Sequence, residues 1–77
     1  MEIRDRNGDL IATSNPPDSR IFDQMTIRNA FLANCELEGI SFDGADLSGS
    51  DFSGADLYWA NLTDARFDSC NLANADF

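Results

Sequence analysis

The chain has 77 residues, 14 acidic side chains against five Arg, a net charge of −9, and neither His nor Lys. That length makes one small domain. Without His or Lys it has no Ser–His or Cys–His nucleophile pair, no Schiff-base lysine and no P-loop. It also lacks the basic face that a nucleic acid or an anionic membrane requires.

Residues 1–14 are read as a β-hairpin. Asn7-Gly8 stands between short apolar segments holding Ile3 and Leu10-Ile11, and Asn-Gly is a strong hairpin signal because both residues tolerate positive φ. The strands are placed at residues 2–6 and 9–13. The charged start Met1-Glu2-Ile3-Arg4-Asp5 is no signal peptide, and no long apolar run follows, so a cytoplasmic protein is expected. Asn15-Pro16-Pro17 reads as an extended connector over residues 15–19. The hairpin is expected to cover the apolar end of whatever follows, or to extend its sheet and protect an edge.

From Phe22 onward every fifth residue is Leu, Ile or Phe: Phe22, Ile27, Leu32, Leu37, Phe42, Leu47, Phe52, Leu57, Leu62, Phe67, Leu72 and Phe77. Period five suits neither standard element. On a helix it turns each side chain by about 140° from the last, and on a flat strand an odd step changes face. The series shares one interior only if the chain bends between successive large residues. Two residues before each centre stands a mostly small residue, among them Ala30, Cys35, Ala45, Ser50, Ala55, Ala60 and Cys70. One residue before it, Asp or Asn predominates. Two residues after it stand Gly39, Gly44, Gly49 and Gly54, where a corner needs permissive backbone.

Ala45-Asp46-Leu47-Ser48-Gly49, Ala55-Asp56-Leu57-Tyr58-Trp59 and Ala60-Asn61-Leu62-Thr63-Asp64 resemble the pentapeptide-repeat family, whose consensus is A(D/N)LXX. The resemblance covers residues 20–77. It implies an all-β fold, a right-handed quadrilateral β-helix with four pentapeptides per coil and about three coils. Residues twenty apart would then stack at the ~4.8 Å spacing of strands.

With that stacking, one side collects Glu36, Asp56 and Asp76 in one column, then Glu38 with Tyr58, then Gly39 with Trp59. These carboxylates with the single Tyr and single Trp make Tyr58, Trp59, Glu36, Glu38, Asp56 and Asp76 the candidate partner-binding residues. Trp59 replaces the Gly of the four preceding corners, so a different turn type is expected there. Phe31 also points outward, toward the N-terminal segment. Asp46 stacks with Arg66 as a surface ion pair. Cys35 and Cys70 fall on neighbouring sides and read as buried free thiols.

The repeat runs to Phe77 without a polar cap. Either the chain is a piece of a longer protein or its last coil pairs with another molecule, and end-to-end dimers of this kind are familiar in the family. Leu62, Phe67, Leu72 and Phe77 are the candidate dimer end, which makes a homodimer the expected assembly. Residues 36–77 hold nine acids and one Arg, a charge that steers a basic partner toward the chain.

The reading is a non-catalytic protein–protein interaction module with no cofactor, no metal, no direct nucleic-acid binding and no membrane contact. One alternative is a DNA mimic that binds a type II topoisomerase, as long acidic members of the family bind gyrase. Three coils, ~15 Å high at the sheet spacing, are short for that role. Another alternative is a purely structural terminal domain of a larger protein.

Overall fold

The computed structural model describes residues 1–77 and contains strands, bridges and turns but no helix. Strand β1, Glu2–Arg4, pairs antiparallel with strand β2, Leu10–Thr13. Glu2 faces Thr13, Ile3 faces Ala12 and Arg4 faces Leu10, so Ile11 is an extra residue and the ladder bulges there. The loop is Arg6-Asn7-Gly8. Asp5 N–H donates to Asp9 O at 3.0 Å and Gly8 N–H to Asp5 O at 3.0 Å. Only Gly8 is at positive φ, 83°. This is a type I turn closed by a left-handed glycine, so Asn7 does not need the permissive backbone the sequence credits it with.

The Pro segment turns back instead of extending. Asn15–Pro16 is cis, and Ser19 N–H donates to Pro16 O at 3.0 Å. The Met1 ammonium holds Ser14 Oγ at 2.9 Å and Pro17 O at 2.7 Å. Those bonds bind the connector to the hairpin.

Beyond it the chain winds with a period of twenty residues. Parallel bridges join Ile21 to Ser41, Thr26 to Asp46, Phe31 to Asp51 and Glu36 to Asp56, then Ser41 to Asn61, Asp46 to Arg66, Asp51 to Asn71 and Asp56 to Asp76. Each winding therefore takes four pentapeptides. A corner every five residues leaves room for one bridge per side, which is why the only strands of normal length belong to the hairpin. The ladder runs in both directions at each bridge: Leu37 N–H donates to Asp56 O at 2.8 Å, and Asp56 N–H to Cys35 O at 3.0 Å. The hairpin substitutes for a preceding winding on one side, where Asp5 bridges Ala30 and Phe31 N–H donates to Arg4 O.

The corners share one turn, except at Asn29, where Ala30 N–H donates to Ser50 Oγ and not back to Ile27 O. Ile40 N–H returns to Leu37 O at 3.1 Å across Gly39, and Ala60 N–H returns to Leu57 O at 3.1 Å across Trp59. Gly39 has φ 74° and Trp59 has φ 60°. Positive φ at the third residue of a bonded turn is type II in both cases. The expectation of a different turn at Trp59 is wrong. Gln24, Asn29, Asn34, Asp64, Ser69 and Asn74 adopt the same left-handed backbone. The penalty of roughly 1–2 kcal/mol for an L-residue there is offset by the turn and ladder bonds that the corner closes. At Gly49 and Gly54 a Cβ would also meet Asn29 Oδ1 or Asn34 Oδ1 of the preceding winding, so those exposed side chains would have to move aside.

The interior holds Phe22, Ile27, Leu32, Leu37, Phe42, Leu47, Phe52 and Leu57, with Ala30, Ile40, Ala45 and Ala55 at the smaller inward positions. Phe22 stacks near Phe42 at 5.7 Å between ring centroids, and Phe42 meets Phe52 edge-on at 6.3 Å. Ile3 of β1 joins this core, so the hairpin both covers the first winding and extends its ladder. Ser50 is buried at a small inward position. Its hydroxyl accepts from Ala30 N–H at 3.0 Å and donates to Ile27 O. Cys35 and Cys70 are free and half-buried, not fully buried as expected. Partial desolvation raises both thiol pKa values.

Candidate functional site

Glu36 and Asp56 are bridge partners on one outer side, and Asp56 bridges Asp76 in turn. Asp56 Oδ1 accepts from Tyr58 N–H at 3.0 Å. The same local bond recurs at Ser48 to Asp46, Ser53 to Asp51, Thr63 to Asn61 and Ala73 to Asn71. Asp46, Asp51, Asp56, Asn61 and Asn71 are thus Asx caps on the corners that follow them, a role for the acidity that charge counting missed. Hydrogen bonds from the Ser48 hydroxyl, then from Arg28, hold the Asp46 carboxyl far below the usual carboxylate range. The Ser53 hydroxyl, followed by the Ser53 amide and Arg6, lowers Asp51.

Arg28 Nε is the partner of Asp46, at 2.8 Å, and Arg66 pairs with Asp68 at 2.6 Å. The expected Asp46–Arg66 ion pair is therefore absent, although the two residues do bridge through their backbones. Arg28 outcompetes Arg66 for the carboxylate, and Arg66 finds Asp68 on its own outer face.

The fold gathers Glu36, Glu38, Asp56 and Trp59 with Arg20 and Gly39 around an open depression of about 610 Å³. Tyr58 and Asp76 do not line it. Tyr58 is half-exposed beside it, and Asp76 continues the Glu36–Asp56 column toward the last winding. Arg20 was not anticipated. Its register with Ile40 and Ala60, two residues before a centre, is the signal that could have placed it. Arg20 donates to the Glu36 carbonyl at 2.8 Å and belongs to none of the ion pairs, which are Arg4–Glu2, Arg6–Asp51, Arg28–Asp46 and Arg66–Asp68. Glu36, Glu38 and Asp56 are likewise without a cationic partner.

At this depression one corner column is inverted. In the other three, Gln24, Asn29 or Asn34 of the first winding lies over a glycine of the second. Here Gly39 comes first, with open space where a Cβ would project, and Trp59 follows. Nothing folds over the indole, which is 86% exposed.

On the side ending at Phe31, the same ingredients are already occupied. Arg6 at the hairpin tip lies 5.0 Å over the centroid of the Phe31 ring and donates to Asp51 Oδ2 at 2.8 Å. The outward aromatic there has its cation supplied by the chain.

The last winding differs from the others. Leu62 and Phe67 are half-buried, while Leu72 is 37% and Phe77 59% exposed. The amide of Phe42 donates to Asn61 O at 2.8 Å, whereas those of Leu62, Phe67, Leu72 and Phe77 find no acceptor in the chain. No helix is long and apolar enough to cross a membrane.

A family model described as pentapeptide repeats, nine copies, matches residues 22–66 and again 32–76. The chain belongs to the pentapeptide-repeat family. No curated protein matches it. Pentapeptide repeats imply a right-handed quadrilateral β-helix, and the twenty-residue bridges of this pentapeptide-repeat chain agree with four repeats to a winding. Such a repeat domain suggests an interaction module.

Proposed function

We propose that this pentapeptide-repeat protein is a non-catalytic module, a right-handed β-helix of about three coils, that presents its Trp59 side to a cytoplasmic protein partner. One observation carries the reading: an indole 86% exposed beside a depression whose three carboxylates outnumber Arg20 and form no ion pair. Large exposed aromatics with polar surroundings are favoured as binding anchors. A rigid, ladder-bonded corner holds this one at little entropic cost on binding. The test is affinity capture with the wild-type chain beside a Tyr58→Ala/Trp59→Ala variant whose fold is verified. A protein held by the first and lost from the second supports the module. Identical captures from both refute it.

A second reading rests on the apolar end. Leu62, Phe67, Leu72 and Phe77, with their open amides, form a surface on which another copy stacks as a two-fold dimer. A monomer by light scattering at high concentration, with the last winding still protected from exchange, refutes the dimer. The dimensions argue against duplex mimicry by one copy. The longest extent is 29 Å, less than one helical turn of DNA at ~34 Å.

A further inference from the structure

We infer that the Trp59 depression recognises an arginine side chain in a basic segment of the partner. The inference rests on the interaction-module reading and names the chemistry of that same site. The chain shows this recognition on itself. Arg6 stacks over Phe31 and donates to Asp51, an aromatic face and a carboxylate taking one guanidinium together. The Trp59 side again brings an aromatic face and carboxylates together, and its one lining cation, Arg20, is held by the Glu36 carbonyl instead of stacking on the ring. The indole is bare, Glu36, Glu38 and Asp56 have no ion-pair partner, and no arginine of the chain lies over the ring.

Charge and shape select the occupant. The lining carries three carboxylates against Arg20, and Arg20 is tied to the Glu36 carbonyl, so the depression attracts a cation. A guanidinium fits better than an ammonium. It is planar and weakly hydrated, stacks on an indole and still directs in-plane N–H donors at carboxylates. An ammonium holds its water and meets a fully solvated indole with less gain. Gly39 leaves room for the entering side chain, since even a Cβ there would touch nothing. The long-range field helps, because the chain carries a net −9.

The test titrates the full chain with a blocked hexapeptide of alternating Gly and Arg, and with its Lys counterpart of equal charge. Trp59 is the only tryptophan, so its emission reports the site directly. The expected result is a saturable change in emission with the arginine peptide, with an affinity at least twofold above that of the lysine peptide. Affinity should weaken as salt is raised. Glu36→Gln/Glu38→Gln removes charge without touching the Asx cap of Asp56, and should weaken binding several-fold. Trp59→Leu, followed by calorimetry, should lose roughly two- to fivefold, the size of one exposed cation–π contact. Equal affinity for the two peptides with unchanged emission would reduce the effect to general charge attraction and overturn the inference. Absence of saturation at millimolar arginine peptide would overturn it as well. Neither outcome touches the capture experiment, where a Trp59-dependent partner would still support the module by another chemistry.

Discussion

Trp59→Gly separates structure from recognition at this corner. Trp59 holds φ 60°, a conformation that costs an L-residue roughly 1–2 kcal/mol and glycine nothing. Against that relief stand two losses. Glycine forfeits about 0.5–1 kcal/mol through the greater freedom of the unfolded chain. The indole also gives up what little it covers: at 86% exposure, ~35 Å² of a side chain of ~250 Å² is shielded, worth ~0.9 kcal/mol at 25 cal/mol/Å². The three contributions nearly cancel, and stability should change by less than ~1 kcal/mol in either direction. Urea denaturation of wild type and variant, with equal m-values, measures this. Recognition should be lost all the same, so a partner captured by the wild type should be missing from a variant of unchanged stability. A loss above ~2 kcal/mol would refute the reasoning, because it would mean that the indole packs on its corner and serves the fold. Gly49→Ala is the contrasting control. It adds left-handed strain and a Cβ against Asn29, and should cost at least ~1–2 kcal/mol.

Ser50→Ala leaves the buried Ala30 N–H without its hydroxyl acceptor and should destabilise by ~1–3 kcal/mol in urea. A neutral result would mean that this amide finds Ile27 O, as Ile40 N–H finds Leu37 O. Arg6→Ala removes the ion pair with Asp51 and the stacking on Phe31. Both are exposed, so a loss of ~1 kcal/mol that shrinks in salt is expected, with faster hydrogen exchange at the Phe31 amide. Asp46 and Asp51 titrate below their ordinary 3.8 in the folded chain. A depressed carboxylate contributes stability above the unfolded pKa and loses it as pH falls through the folded one. The urea midpoint should therefore drop steadily as pH is lowered from about 4, and less so in Ser48→Ala/Ser53→Ala. A midpoint indifferent to acid below pH 4 would contradict the Asx caps.

What the linear chain determines is its periodicity. A large apolar residue at every fifth position, from Phe22 to Phe77, admits few folds, because only a chain that bends after each one can bury them all. Periodicity alone does not count the sides of a coil; the resemblance to pentapeptide repeats, four to a coil, is what made the stacking of Phe22 on Phe42 and of Glu36 on Asp56 legible, and with it the company of Glu36, Glu38, Asp56 and Trp59. Asn7-Gly8 likewise marked the hairpin, because turn chemistry is local. The outer details depend on which side chains meet across windings, and spacing does not rank those competitors. Asp46 chose Arg28 over Arg66 for that reason. Arg20 entered the depression because the first winding set it beside Glu36. Trp59 kept the glycine turn because neighbouring windings and the bond from Ala60 to Leu57 hold the corner whatever residue occupies it. Its bareness is likewise tertiary. The inverted order of Gly39 and Trp59 can be read in the chain, but only the stacked windings show that no Asn or Gln folds over the indole.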